Sequence, residues 1–396
     1  MTTRSYEQPF AGLKVLDLSQ GVAGPNCGMI LALYGADVIK VEPEEGDWAR
    51  GLGRRHGGHT TLEISGNRGK RSIALDLKAA AGREAALRLA RNADIVLESF
   101  RPGVAARLGL GYEDIRRDNP RVLYVSISGF GQSGPYAGRP GTDLVLQAFS
   151  GLIGNNVGSD GVPHRIGFIV VDMVSSLYAF QAVSAALFGR ERQSEGRHID
   201  VNLMQSAAAI QSQRIVEYAL EGGSAQALNV PTASYQTSDG WIAVVVVKEP
   251  QFAKLCAALE RPDLAADPRF KDFATRARHG ALLIGSLRDL FRGKPTAHWI
   301  ELLSAADILC NRINSYGDWL ADHHVQAIGA APVVELPNVG PVTLPPIPGM
   351  PPLAPDDPRQ LPPALGQHGR EVLREIGYGD AEIDQLVQDR VLYGIG

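Results

Sequence analysis

Asp172 is the residue whose surroundings most invite chemistry. It stands between an apolar run over 166–171 and a helix-like stretch that opens at Met173. A carboxylate there accepts from the free amides of a first helical turn; held in an apolar wall, it can also serve as a nucleophile. Asp143, in Gly141-Thr142-Asp143, precedes an apolar helix over 144–152 and reads first as a helix cap. Arg101 and Arg107 flank Pro102-Gly103 just past one strand, and Lys78 follows another. Cations at strand exits suit phosphate; on a solvated face the same residues are plain surface charge. Gly129, Gly131 and Gly134 spell GxGxxG after a strand, but the proline-bearing stretch 135–141 cannot open the helix that a dinucleotide fingerprint needs. No P-loop lysine follows, so these glycines read as a turn or a place of close backbone approach. Cys27, at a helix start after Gly24-Pro25-Asn26 with no histidine suitably placed, reads as a buried structural thiol. The nine histidines show no ligand spacing, so no metal site is expected.

These residues need elements to position them. Short apolar runs over 13–18, 36–42, 72–77, 94–97 and 122–127 read as strands, with helices over 25–34 and 80–92 between some of them. Strands alternating with helices of about ten residues make βαβ units and a parallel sheet, which binds ligands at the carboxyl ends of its strands. Beyond Arg165 the pattern changes. An Ala- and Ser-rich stretch over 173–188 predicts a buried helix, and a strand over 199–203 runs into a long helix over 205–220. A second unit opens near Leu228, with a strand over 241–247 and helices to about 321. Prolines through 332–358 exclude helix there and predict an extended return, before two short amphipathic helices within 366–391.

Composition narrows the function. The 396 residues suffice for two or three domains, at about 100–200 residues each. Lys+Arg 39 against Asp+Glu 43 leaves a net charge of −4, which excludes a generic basic nucleic-acid binder. A hydrophobic share of 44% with 21% charged residues predicts a folded, soluble chain. No apolar run reaches about 18 residues, so no membrane partner is expected. The first seven residues carry no apolar signal core, and three cysteines make no disulfide framework, so the expected location is cytoplasmic.

Taken in order, several segments carry a family likeness: Gly12-Leu13-Lys14-Val15-Leu16-Asp17-Leu18, Val22-Ala23-Gly24-Pro25, Gly35-Ala36-Asp37-Val38-Ile39-Lys40-Val41-Glu42, Asn67-Arg68-Gly69-Lys70-Arg71-Ser72, Arg101-Pro102-Gly103-Val104 and Ser126-Ile127-Ser128-Gly129-Phe130-Gly131, then the Asp172 helix, Gly196-Arg197-His198-Ile199-Asp200-Val201 and Asp239-Gly240-Trp241-Ile242. Together they resemble the class III CoA-transferases of the formyl-CoA and carnitine type, over nearly the whole chain. The resemblance implies an α/β fold: a Rossmann-like large domain with a smaller inserted α+β domain, in an interlocked, ring-like homodimer. The large domain would take 1–222 and the C-terminal return 326–396, with the small domain at 223–325. It implies an acyl-CoA:carboxylate CoA-transferase in which Asp172 is the covalent nucleophile, passing through an aspartyl-acyl anhydride and an aspartyl-CoA thioester. By position, CoA contacts fall on Val22, Ala23, Leu75, Lys78, Ser99, Phe100, Arg101, Arg107, Thr142 and Asp143. Partners are then an acyl-CoA and a small carboxylic acid; coenzyme A enters as substrate and no further cofactor is implied.

Two alternatives stand beside this reading. The superfamily includes α-methylacyl-CoA racemases, which exchange an α-proton with a histidine just before the Asp143 position, the Asp172 equivalent and a glutamate. Here Thr142 occupies the histidine position, while Glu249 fits the glutamate or else caps a helix beginning at Pro250. The other alternative is a non-catalytic CoA-binding protein, against which the retained Asp172 argues.

Overall fold

The structure, a computed structural model, describes residues 8–158, 160–223 and 229–394. Met1–Glu7, read above for signal character, and 224–228, where the second unit was expected to open, lie outside the described residues. The chain divides into two compact units: Met1–Ser212 with Ala330–Gly396, and Gln213–Gly329. The observed bounds thus differ from the expected 222 and 326.

The first unit is built on a parallel sheet. Its strands are β1 (Lys14–Asp17), β2 (Asp37–Glu42), β3 (Arg71–Leu75), β4 (Ile95–Glu98), β5 (Leu123–Ser128) and β6 (Arg197–Asn202), in the order β3-β2-β1-β4-β5-β6. The strands read as near-continuous apolar runs because both faces are covered. On one face Val15, Leu97, Val125 and Ile127 pack with α1 (Ala23–Leu33); on the other Leu16, Ile73, Val96 and Tyr124 pack with α2 (Ala80–Arg91) and the C-terminal helices Gly369–Glu375 and Asp380–Gln388. Strand order reverses between β1 and β4, and that switch point opens a crevice at the strands' carboxyl ends. The turns leaving β1 and β4, with Gln20 and Ser99, meet there.

Three further helices frame the crevice: α3 (Val104–Arg107), α4 (Asp143–Phe149) and α5 (Val170–Arg190). Among the described residues α5 alone has the length and apolar composition to cross a membrane. It instead lays Val171, Ala179, Val183 and Ala186 into the core beside α1, as the central helix of a parallel sheet does. Its burial is one-sided, since Leu177 and Phe188 are exposed.

Several expectations change. The single helix over 205–220 is two, Leu203–Ile210 and Ser212–Glu221, because the Gln211 side chain turns back to donate to the Ala207 carbonyl at 2.8 Å. The proline-rich return begins with a hairpin, Val333–Leu336 paired to Gly340–Thr343, in which Pro341 is tolerated because the ladder has only two strands. An unanticipated strand, Leu392–Tyr393, runs antiparallel along the outer edge of β3.

The second unit is α+β. Thr232–Gln236, Trp241–Val245 and Leu309–Arg312 form an antiparallel sheet with Trp241–Val245 in the middle. Tyr235, Phe252, Phe270, Phe291 and Trp299 fill its core.

Candidate active site

Behind the turn that leaves β1 lies a ladder of enclosed charges. Lys70 Nζ lies 2.8 Å from Asp17, and Lys40 Nζ lies 3.0 Å from Asp47 and donates to the Ser19 carbonyl at 2.7 Å. Arg50 forks onto Glu42 at 2.6 and 2.8 Å and also meets Glu63. Burial opposes ionisation of Glu42, but Arg50 and Lys40 outweigh it and hold the carboxyl down to about 2. The ladder fixes the turn after β1. Asp47 accepts the Gly21 N–H at 2.9 Å, and the Trp48 indole lies so close over Gly21, at φ +85°, that no side chain fits there. Cys27 beside the ladder is fully buried, and burial together with Asp17 pushes its thiol up to about 12, so it is structural.

Asp172 lies in the first turn of α5, one residue past the buried Val171. Its carboxylate accepts no hydrogen bond from any described residue. Asp143 explains how it is held. Asp143 is buried, and its carboxylate accepts from the amides of Val171 at 2.7 Å and Asp172 at 3.2 Å and from Gln147 Nε2 at 2.6 Å. Asp143 therefore caps α5 across space, while Asp172 faces the opening. Burial, reinforced by the Asp143 carboxylate, pushes Asp172 up to about 7. Dehydration and a like charge at its back thus outweigh the pull of the helix N-terminus toward the ionised form.

One cleft of about 350 Å³ gathers most of the expected residues: Val22, Ala23, Ser99, Phe100, Arg101, Thr142 and Asp172 all line it. A second cavity of about 370 Å³ shares Gln20 and Phe100 with the first and is lined by Leu75 and Lys78. Leu75 itself is a core side chain, so it offers the cavity only its strand end. Arg107 lines neither cavity; its guanidinium lies against Gly103 in the turn that carries Arg101. Asp143 likewise stands behind the wall, and its carboxylate is spent on the first turn of α5 and on Gln147 of its own helix, α4. Among the described residues Lys78, Arg101 and Arg107 are all exposed and none is ion-paired, leaving three cations free for an anionic ligand. Gly129 also borders the cleft, packed against Gly141 where a Cβ would fall 2.8 Å from the neighbouring Cα. The Gly131 amide, a candidate donor to a developing oxyanion, is already engaged by Ser128 Oγ at 3.1 Å.

Comparison with known proteins decides what this cleft belongs to. The family model described as CoA-transferase family III matches residues 10–369. The chain belongs to CoA-transferase family III. The chain is 34% identical over 395 residues to the succinyl-CoA:glutarate CoA-transferase of Homo sapiens, covering 97% of this chain and 90% of that protein. It is 35% identical over 390 residues to the succinate–glutarate CoA-transferase of Agrobacterium fabrum, covering 93% and 96%. The crystal structure of a CAIB/BAIF family protein from Brucella suis superposes with a TM-score of 0.79 at 31% identity, covering 93% of this chain and 100% of that one.

As a family III CoA-transferase the protein acts on acyl-CoA and carboxylate substrates. Thr142, at the position where racemases carry histidine, is an exposed residue of the cleft and offers no base. Glu249 is committed within the second unit: it pairs with the buried Arg276 and accepts the Phe273 amide at 2.5 Å. It thus caps the helix that starts at Phe273 as well as opening its own. Among the cleft residues that went unread in the sequence, Trp48 and Arg139 carry the largest side chains. The signals were present, an aromatic two residues after Gly46 and an arginine before Pro140-Gly141; Trp48 opens a short 3-10 helix and Arg139 lies in a bend.

Proposed function

We propose that the transferase works through Asp172 as a covalent nucleophile. The Asp172 carboxylate attacks the thioester carbonyl of the donor, the C–S bond breaks, and a mixed anhydride forms as CoA leaves as thiolate. The thiolate attacks the aspartyl carbonyl and expels the donor acid, giving an aspartyl-CoA thioester. The acceptor carboxylate attacks that thioester and forms a second anhydride. The returning thiolate takes the acceptor's acyl group and frees Asp172. Each step is acyl exchange between groups of comparable energy, which is the benefit of a covalent relay. The observation that carries the reading is an Asp172 carboxylate that no described residue hydrogen-bonds, facing a cleft, on a helix whose end Asp143 holds fixed. A raised pKa adds nucleophilicity to the ionised fraction, at the cost of a smaller fraction at neutral pH.

Lys78, Arg101 and Arg107 bind the phosphates of CoA, and binding energy gathered there positions the remote thioester. The substrates named for the human and Agrobacterium relatives put small dicarboxylic acids first among acceptors to screen. The working form is a homodimer; the one-sided burial of α5, with Leu177 53% and Phe188 65% exposed, supports a second copy covering that face. Cys27, Cys256 and Cys310 are all free thiols, which fits a reducing cytoplasm.

The test is intact mass after incubation with succinyl-CoA. Wild type is expected to gain an aspartyl adduct that hydroxylamine removes, and Asp172→Ala to gain none and to lose transfer. Transfer above about a hundredth of wild type in Asp172→Ala excludes a covalent role worth several kcal/mol. A protein with no adduct and no transfer in the wild type is a CoA-binding scaffold.

A further inference from the structure

Glu98 ends β4 immediately before Ser99-Phe100-Arg101, the turn that lines the cleft. It is buried, and its carboxylate accepts the Phe100 N–H at 2.8 Å. The same turn is tied on its other side to the β1 exit: Ser99 Oγ accepts from the Gln20 amide at 2.8 Å and donates to its carbonyl at 3.1 Å. Across the sheet, Ser126 on β5 is Glu98's register partner, and Ser126 Oγ lies 2.8 Å from His198 Nε2 on β6. His198 is exposed and is stacked by Tyr112 at 5.2 Å. Ser126 therefore stands on the strand between Glu98 and the His198 ring, beside the carboxylate that holds the turn.

We propose that Glu98 is a positioning residue for coenzyme A: ionised, it clamps the Phe100 amide and so presents Ser99, Phe100 and Arg101 to the ligand, and protonated it loosens that clamp. This rests on the assignment of the cleft to CoA. The electrostatics agree with the geometry. Burial pushes Glu98 up to about 7, against the hydrogen bonds from Ser126 and Phe100, and Asp200 adds to the rise. The charged or titratable groups that act on it are Asp200 and, through Ser126, His198 on β6, and Tyr124 on β5. Asp200 also holds the Gln132 amide of the glycine loop at 2.9 Å. In turn Asp114 acts on Tyr124, and Asp200 and Glu113 act on His198, whose burial lowers its pKa. The sign follows: with its pKa raised toward neutrality, Glu98 is charged and the clamp tight above about pH 7, and the clamp weakens as pH falls through it.

The experiment measures free CoA binding by calorimetry at pH 6.5 and 8.5 in Asp172→Asn, so that the nucleophile does not titrate, and in Asp172→Asn/Glu98→Gln. A charge-assisted hydrogen bond reduced to a neutral one is expected to weaken CoA about fivefold at pH 6.5 relative to 8.5 in the single variant. The double variant is expected to bind weakly at both pH values. The CoA phosphate titrates alike in both proteins and cancels in the ratio. Glu98→Asp, which keeps the charge but withdraws it from the Phe100 amide, is expected to bind weakly throughout. A flat single variant, or an unchanged pH ratio on adding Glu98→Gln, overturns the clamp while leaving the transferase reading intact. No CoA binding at either pH overturns both.

Discussion

Asp172→Asn is expected to cost the enzyme its activity and make it more stable, by an amount that grows with pH. In the native protein the carboxyl is pushed from an ordinary 3.8 up to about 7 by burial and by Asp143. At 1.36 kcal/mol per pH unit the ionised form carries a strain of about 4 kcal/mol; partial solvent access halves this to roughly 2 kcal/mol. Below pH 3.8 the group is protonated both folded and unfolded, so asparagine brings no electrostatic gain. Between 3.8 and about 7 the unfolded chain gives up the proton while the native state keeps it, and wild-type stability falls relative to the variant. Above about 7 the difference is constant. Melting curves at pH 4, 5.5, 7 and 8.5 read this directly: the variant's advantage is expected to climb from near zero to roughly 3–6 °C and then level off. An advantage independent of pH would mean that the gain is packing and that Asp172 is not a strained carboxylate. A loss of stability at pH 8.5 would refute the reasoning outright.

Three other outcomes follow from the same geometry. Asp143→Asn keeps an oxygen for the Val171 and Asp172 amides but removes the charge, so the acid limb of the kcat/KM profile is expected to move to lower pH; a profile that stays put would leave burial as the sole cause. Arg107→Ala is expected to raise KM for the acyl-CoA about tenfold with little change in kcat, and to cost less with dephospho-CoA if the 3′-phosphate is its partner. In D₂O without acceptor, a 2-methylacyl-CoA is expected to keep its α-hydrogen, because Thr142 cannot take a proton; mass spectrometry showing exchange as fast as turnover would make Asp172 a base and the protein a racemase.

The strands of the large unit were legible because a buried parallel sheet writes itself as apolar runs, and five runs fall on β1 to β5 within a few residues. Asp172 was legible for a related reason: an acid at the junction of an apolar run and a long apolar helix is out of place. Its raised pKa was not, because its causes are burial in the folded wall and, second, the carboxylate of Asp143 29 residues away, which reads as a local cap and turns out to serve another helix. Gln211 broke a helix that periodicity ran through, since its side-chain bond back to Ala207 leaves no mark in the apolar pattern. The two-residue strand at Leu392 is too short to show any period. Nothing in the sequence marks Lys40, Lys70 and Arg50 as interior; three-dimensional pairing with Asp17, Asp47, Glu42 and Glu63 makes them so.

That buried ladder also separates ground that tolerates redesign from ground that does not. Each rung spans different strands or turns, so replacing one partner strands a dehydrated charge, a loss of about 3–5 kcal/mol, and only exchange of both partners together avoids it. Trp48, Arg139 and Thr142 carry no such debt: all three are exposed at the rim, and none is bound into the ladder. The rim is therefore open to single substitutions, one position at a time, while the ladder that shapes the β1 turn can change only in matched pairs.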